Sequence, residues 1–241
     1  MQRINAWSSP RNISTAFMYA FAQREDMSVV DEPLYAHYLV KTKSLVHHPA
    51  TQEVITTQEN DGEKVIQDVI FGDHPTPAVL FKQMTHHLID ISTDFLAKTD
   101  NILLIRDPRY IINSYIKVIP NPTISDIGVK DQLSLFKQLK AVGTLKAVVD
   151  SKELLLDPEK VLRQLCAKLD LAFDASMLQW TAGPRPEDGV WAKHWYANVH
   201  KSTGFQPYTP KKISLPPAME KLAEECMPYY EKLFDYAIKA N

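Results

Sequence analysis

The residues from Arg11 to Thr15 could together bind an anion. They follow a short apolar stretch and precede a run of apolar residues at 16–21 that predicts a helix. The first N–H groups of a helix have no partner within it and lie at the positive end of its dipole, so phosphate or sulfate is favoured there. Arg11 adds a permanent charge, and Ser14 and Thr15 add hydroxyl donors. The segment therefore predicts an anion site; the alternative is that Ser14 only caps a surface helix.

A second segment, around Arg106, carries another candidate for anion binding. Four apolar residues at 102–105 predict a buried strand of a parallel sheet, and Asp107, followed by a proline, predicts an immediate helix start. Arg106 then lies at the carboxyl end of a strand, the edge where open α/β sheets bind ligands. Ser114, about two helical turns further on, is within reach of the same anion. The alternative for Arg106 is an ion pair with Asp107 or Asp100.

The order of apolar and polar segments predicts the scaffold that positions these residues. Short apolar runs alternate with helical patterns, which is typical of a parallel sheet with helices on both faces. The expected strands are 4–8, 27–31, 78–83, 101–106 and 146–150. The expected helices are 14–23, 86–97, 108–118, 130–142, 158–169 and 217–240, with a polar helical region over 35–72. We expect one three-layer α/β/α domain over 1–241, with loops at 119–130 and 181–217.

Composition narrows the class of protein. The 241 residues are 45% hydrophobic and 23% charged, as in an ordinary soluble domain. A net charge of −2 and a pI near 6.4 argue against nucleic acid as a partner. The first residues enter a strand directly, so we expect no signal peptide, no membrane partner and a cytoplasmic location. Cys166 and Cys226 lie on apolar helical faces and are expected to be free thiols of the core.

The two anion-binding segments together resemble the cofactor motifs of sulfotransferases that use 3′-phosphoadenosine 5′-phosphosulfate (PAPS). In that family a strand-loop-helix turn binds the 5′-phosphosulfate, and an Arg with a Ser eight residues later holds the 3′-phosphate. Residues 9–15 are similar to the first motif, with Arg11 in the place of its Lys or Arg and Ser14 and Thr15 as its hydroxyls. Arg106 and Ser114 match the second. The resemblance implies a sulfotransferase fold similar to that of P-loop nucleotide-binding proteins, with PAPS as cofactor and 3′,5′-adenosine diphosphate (PAP) as product.

The resemblance extends further and has one departure. Glu32 to Tyr35 are similar to a Glu-Pro-Leu-Tyr stretch of carbohydrate sulfotransferases, and residues 154–171 look like the family's strand-then-helix region. Asn12 and Ile13 stand where the family usually has Ser-Gly. Glycine matters there if the turn needs positive φ, which β-branched Ile tolerates poorly. Either Ile13 already has helical geometry and buries its side chain, or the loop is reshaped.

The resemblance also suggests the groups that would carry out sulfuryl transfer. Arg11 would neutralise the leaving phosphate, and a base would accept the proton of a hydroxyl acceptor. Glu32 is the favoured base, because its position resembles that of the catalytic Glu of several glycan sulfotransferases; His86 and His87 are the alternative. Without a catalytic role, Glu32 would form an ion pair with a Lys or Arg on a loop, and the two histidines would lie at a solvated helix start. Lys82, near the end of a buried strand, is expected to join the catalytic site.

The late loop is expected to help bind the 3′-phosphate. Lys201 is the candidate by resemblance, and Lys193 and His194 are competitors. The alternative is a surface loop whose Trp191 and Trp195 pack on the core. No set of metal ligands is apparent, because the pairs His47-His48 and His86-His87 lack Cys, Asp or Glu partners at ligand spacing.

The resemblance therefore implies transfer of a sulfuryl group from PAPS to a hydroxyl or amine of a small molecule. A kinase-like phosphotransferase is disfavoured, because Gly-x4-Gly-Lys-Ser/Thr is absent and no glycine precedes Gly62. A nucleotide-binding protein without catalysis is the other alternative. The acceptor site would be built from residues 35–75, 119–130 and the late loop, and the sequence leaves both the acceptor and the oligomeric state undetermined.

Overall fold

A parallel sheet forms the centre of the computed structural model, which describes residues 1–42, 48, 50–117 and 119–241. The described strands are β1 (Gln2–Ser8), β2 (Met27–Asp31), β3 (Ala78–Met84), β4 (Asp100–Ile105), β5 (Leu145–Asp150) and β6 (Ala237–Ile238). They pair in parallel in the order β2-β3-β1-β4-β5-β6. β1 therefore lies between β3 and β4, and the carboxyl ends of the strands meet at one edge.

Helices cover both faces of this sheet. Those described are α1 (Ser14–Phe21), α2 (Tyr35–Thr42), α3 (Thr51–Thr57), α4 (Gly62–Lys64), α5 (Pro108–Tyr115), α6 (Ile124–Ile127), α7 (Val129–Ala141), α8 (Ser151–Leu156), α9 (Pro158–Lys168), α10 (Ala192–Trp195) and α11 (Pro217–Phe234). A π-helical stretch, Val65–Ile70, continues α4. Short 3₁₀ turns are formed by Thr85–His87, Asp94–Lys98, Ala175–Leu178 and Val199–Lys201.

The core is divided by the sheet into two layers. On β1, Ile4 and Ala6 pack in the cluster that contains residues of α1 and α9, whereas Trp7 packs with residues of α7 and α11. This alternation follows from the two-residue period of a strand. The expected three-layer α/β/α architecture is therefore confirmed.

Most of the expected elements are present, with two clear corrections. A helix over 86–97 is wrong: two short 3₁₀ turns flank Asp90, whose φ of +47° is incompatible with a continuing helix. A final helix to residue 240 is also wrong, because α11 ends at Phe234 and the chain then adds β6 beside β5. The loop expected at 119–130 contains α6 and the start of α7. His47 and residue 118, the end of the expected helix 108–118, lie outside the described residues.

Three further observations concern the chain as a whole. Cys166 and Cys226 are buried free thiols, as predicted. In the described part of the chain, no helix is long and apolar enough to span a membrane. The same residues contain no group of three or more His, Cys, Asp or Glu side chains placed to hold a metal ion.

Candidate active site

The turn between β1 and α1 presents the first anion-binding segment at the carboxyl edge of the sheet. Its one residue with positive φ is Arg11, at +56°, whereas Ile13 has φ −91° and ψ 21°. The Asn12 side chain holds the turn: its Oδ1 accepts from the Ile13 N–H at 2.8 Å and its Nδ2 donates to the Leu104 carbonyl at 3.0 Å. Ile13 packs against the core. The turn therefore needs no glycine at residues 12 and 13.

Ser14 and Thr15 follow at the start of α1. Ser14 is buried and begins the helix, and Thr15 is half-buried. Ile13, which precedes the helix, provides no side-chain cap, and its carbonyl accepts the first helical hydrogen bond from Phe17. The early N–H groups of α1 therefore lie at the site edge of the sheet, beside Arg11.

The two predicted anion-binding segments meet in space. Arg11 Nε donates to Ser114 Oγ at 3.0 Å, and Arg106 Nη1 donates to the carbonyl oxygen of Arg11 at 2.5 Å. Burial lowers the pKa of both guanidinium groups, and the charge of Arg11 lowers that of Arg106 further. Arg11 and Arg106 therefore form a cationic pair, and Ser114 contacts the pair through Arg11.

This cationic pair has no neutralising carboxylate within 4 Å among the described residues. The alternative expected for Arg106, an ion pair with Asp107 or Asp100, is wrong. Asp107 pairs with Arg109 at 2.5 Å, and Asp100 pairs with Lys146 at 3.3 Å. Two adjacent, half-buried cations without an ion-pair partner are a favourable site for an anionic ligand.

A buried cluster of charges lies across β1 from Arg106. Lys82, only 2% exposed, donates from Nζ to Asp31 Oδ1 at 2.7 Å, to Glu32 Oε1 and to the Tyr196 hydroxyl at 2.8 Å. Burial alone would lower the pKa of Lys82, but the two carboxylates outweigh it and the pKa is raised well above its usual value. Lys82 is therefore held in its charged form.

Glu32 comes directly after β2 and has φ +43°. Its carboxyl group is nearly buried, with 12% of the side chain exposed. Burial raises the pKa of Glu32, the charge of Lys82 opposes that effect, and Asp31 adds to it. Glu32 is accordingly a stronger base than an ordinary surface carboxylate, yet it stays paired with a cation.

His86 and His87 lie among aromatic rings after β3 and do not begin a solvated helix. The His86 ring centroid is 4.8 Å from that of Tyr38, and His87 stacks on Tyr35 at 5.1 Å. Burial, with a contribution from His48, lowers the pKa of His86 to about 4. The pKa of His87 is also lowered, mainly by burial, and its buried Nδ1 has no hydrogen-bond partner among the described residues. Both rings are therefore neutral at pH 7.

The late segment contributes residues that the sequence did not single out for the site. Trp195 lies over Arg11, with 5.8 Å from the guanidinium carbon to the ring centroid, and Tyr196 joins the Lys82 cluster. Lys193 instead pairs with Glu53 at the surface. Lys201 is exposed, and the described contacts do not bring its side chain to the cationic pair. The prediction that Lys201 binds a phosphate is left untested.

Comparison with known proteins identifies the family of this chain. A family model described as a sulfotransferase domain matches residues 1–237, and the chain belongs to this family. Two proteins of Arabidopsis thaliana, branched-chain-amino-acid aminotransferase-like proteins 2 and 1, are 40% and 42% identical over 97% and 95% of the chain. The chain spans only 41% of the length of each.

Solved structures show the same fold at low sequence identity. The sulfotransferase domain of the Synechococcus PCC 7002 olefin synthase is 17% identical with a TM-score of 0.54, over 99% of this chain and 96% of that one. Mouse sulfotransferase SULT7A1, solved in complex with PAP, is 10% identical with a TM-score of 0.52, over 97% and 83%. These likenesses establish the fold of this chain.

Proposed function

We propose that this protein transfers a sulfuryl group from PAPS to a hydroxyl or amine group of a small-molecule acceptor. The observation that carries the proposal is the cationic pair of Arg11 and Arg106. Neither arginine has a carboxylate partner within 4 Å among the described residues. PAPS carries its activated sulfuryl group on the 5′-phosphate and has a separate 3′-phosphate, so it is anionic at two positions. A site for it therefore requires permanent cations at the edge of the sheet.

The residues around the first turn fit such a ligand. Ser9 Oγ, in the turn before Arg11, is buried without a hydrogen-bond partner in the described structure. Buried polar atoms are normally paired, so an unpaired hydroxyl two residues before Arg11 supports a ligand at this position. Ser14 and Thr15, with the N–H groups of residues 12, 14 and 15, would add donors to the 5′-phosphosulfate; the Ile13 N–H is already bonded to Asn12 Oδ1.

Arg11 and Arg106 have different roles in this proposal. Arg11 lies at the transfer end, where its charge would stabilise the leaving phosphate and the bridging oxygen. Arg106, with Ser114, would bind the 3′-phosphate. Lys201 remains a predicted further contact to that group. Positioning and charge stabilisation of this kind are expected to supply most of the rate enhancement of group transfer from a phosphate.

Glu32 is the proposed general base. Its raised pKa and nearly buried position favour proton transfer from an acceptor hydroxyl. His86 is less suited, because a pKa of about 4 makes its imidazole a weak base. Lys82 is a positioning residue: it holds the Glu32 carboxylate in place and is itself too strongly protonated to accept a proton. The rings of Tyr35, Tyr38 and His86 would border the acceptor.

Measurements of PAP binding and of sulfuryl transfer distinguish this proposal from a non-catalytic binding protein and from a phosphotransferase. At a PAP concentration of about 100 times Kd, unfolding should cost about 2.7 kcal/mol more, and ATP with Mg²⁺ should have little effect. Radiolabelled PAPS with a panel of alcohols, phenols and amines then tests transfer. PAP binding without transfer would favour a non-catalytic binding protein, and stabilisation by ATP with Mg²⁺ would favour a phosphotransferase. The cytoplasmic location stays a prediction that fractionation of cells can check.

A further inference from the structure

Trp195 lies at the transfer end of the proposed site. Its ring faces the Arg11 guanidinium, and Ser114 Oγ accepts a hydrogen bond from the same group. The indole is half-buried and packs beside the cluster that includes Tyr35 and Trp191. An aromatic ring beside a cation displaces water from it while preserving its charge.

The residue that follows Trp195 anchors it to the charge cluster. The Tyr196 hydroxyl donates to Asp31 Oδ2 at 2.6 Å and accepts from Lys82 Nζ at 2.8 Å and Trp191 Nε1 at 3.1 Å. Upstream, the Gly189 N–H donates to the same Asp31 oxygen at 3.2 Å. The segment carrying Trp195 is therefore fixed at both ends to the cluster that holds Glu32.

Glycine at 189 is required by the packing of this segment. A Cβ on Gly189 would lie 2.2 Å from the Trp191 ring, which is itself buried. Lys193, in the same short helix as Trp195, is tied to α3 through Glu53 at 2.6 Å. These contacts hold residues 189–196 over the carboxyl edge of the sheet and leave the Trp195 ring facing Arg11.

We propose that Trp195 is a positioning residue that excludes water from the transferring sulfuryl group; this inference rests on the proposed function. In transfer, the acceptor oxygen bonds to sulfur while the bond from sulfur to the bridging phosphate oxygen breaks, and the acceptor proton passes to Glu32. Water attacking the same sulfur would instead yield inorganic sulfate and PAP, with its protons released to solvent. The indole closes one approach to that atom and reduces solvent screening of Arg11.

Hydrolysis of PAPS without an acceptor tests this role directly. We expect Trp195→Ala to release labelled sulfate from PAPS at least fivefold faster than the unmodified protein, whereas Trp195→Phe restores the slow rate. Trp180→Phe is the matched control, because Trp180 packs on Tyr19 and Phe205 away from Arg11. The control should release sulfate at the rate of the unmodified protein.

Binding of PAP provides a second readout that does not depend on activity. PAP should change the tryptophan fluorescence of the unmodified protein and of Trp180→Phe, but not that of Trp195→Phe. An equal fluorescence change in all three proteins would overturn the inference. So would an unchanged rate of sulfate release by Trp195→Ala that still binds PAP. Neither result would contradict the proposed function. If Trp195→Ala fails to fold, the fluorescence of Trp195→Phe decides. Absence of PAP binding to the unmodified protein in calorimetry overturns both proposals.

Discussion

Arg106 donates a hydrogen bond from Nη1 to the main-chain carbonyl of Arg11 at 2.5 Å. The contact joins the end of β4 to the turn after β1 and helps to hold Arg11 at positive φ. Because the acceptor is a main-chain carbonyl and not a carboxylate, this hydrogen bond does not neutralise the charge of Arg106. The positive charge of Arg106 stays available to a ligand while its side chain is already oriented.

Replacing Arg106 by alanine should weaken PAP binding more than it slows transfer at saturation. A hydrogen bond to a charged group contributes about 1.5–3 kcal/mol, so we expect Kd for PAP to rise about 10- to 100-fold. Calorimetric titration measures this change. Arg109→Ala, which removes an exposed arginine paired with Asp107, is the control and should leave Kd within about twofold. An unchanged Kd in Arg106→Ala would show that Arg106 does not bind the 3′-phosphate.

Arg11→Ala should abolish measurable transfer. Removing one preorganised group that stabilises charge in a transition state lowers kcat by about 10²–10³. Arg11→Lys keeps the charge but loses the Nε donor to Ser114, and we expect it to retain a small part of the activity. Initial rates with labelled PAPS compare the three proteins. Transfer by Arg11→Ala within tenfold of normal would contradict the assignment of Arg11 to the transfer end.

Glu32→Gln should lower turnover strongly with little change in PAP affinity. General-base catalysis contributes about 10²–10⁴-fold, and the amide keeps the size of the side chain without its basicity. His86→Asn is the comparison, because His86 is the alternative base and its lowered pKa disfavours it. Measurement of kcat for both variants decides between them. Normal turnover by Glu32→Gln, with a loss in His86→Asn, would transfer the role to the histidine.

Lys82→Met should destabilise the folded protein. Asp31 and Glu32 would be left near one another without their shared cation, and breaking a buried ion pair in this way costs about 3–5 kcal/mol. Urea unfolding measures the loss. Lys193→Met removes an exposed pair with Glu53 and should cost less than about 1 kcal/mol. Equal, small effects of the two substitutions would refute a structural role for the Lys82 cluster.

Stability should fall as the pH is lowered from about 6.5 towards 4. Burial lowers the pKa of His86 to about 4 in the folded state, whereas an unfolded histidine titrates near 6.5. Between these values the unfolded chain binds more protons, so the free energy of unfolding rises with pH, by up to about 3 kcal/mol for this residue. His87 acts in the same direction.

A histidine substitution isolates the contribution of His86 to that pH dependence. In His86→Gln, the loss of stability between pH 7 and pH 5 in urea unfolding should be smaller than in the unmodified protein. His194→Gln, at an exposed position, should keep the full dependence. A His86→Gln protein with an unaltered slope would show that His86 is not buried in its neutral form.

The cationic pair was predictable because its parts follow neighbouring strands of a parallel sheet, whose carboxyl ends meet. Arg11 and Arg106 follow β1 and β4, and the pairing of those strands brings them together. The same rule places Glu32 near Lys82 at the ends of β2 and β3. The sequence pattern indicates which residues follow a strand and so share this edge, whereas the order of the strands comes from the structure.

The contacts of Tyr196 and Trp195 could not be predicted in that way. Tyr196 is 165 residues from Asp31, and the segment that carries it has no regular period. Its position depends on tertiary packing, such as the ring of Trp191 against Gly189. β6 was missed because two residues are too few to form a pattern, and the expected helix over 86–97 failed at the backbone of Asp90.

The place of β1 between β3 and β4 has a kinetic consequence for the proposed reaction. Arg106 follows β4 on one side of this strand, and Glu32 is held by Lys82 of β3 on the other. Donor and acceptor would then occupy opposite sides of the end of β1 at the same time. Sequential kinetics follow from this arrangement: PAP should compete with PAPS but not with the acceptor. No sulfated form of the protein should accumulate during turnover.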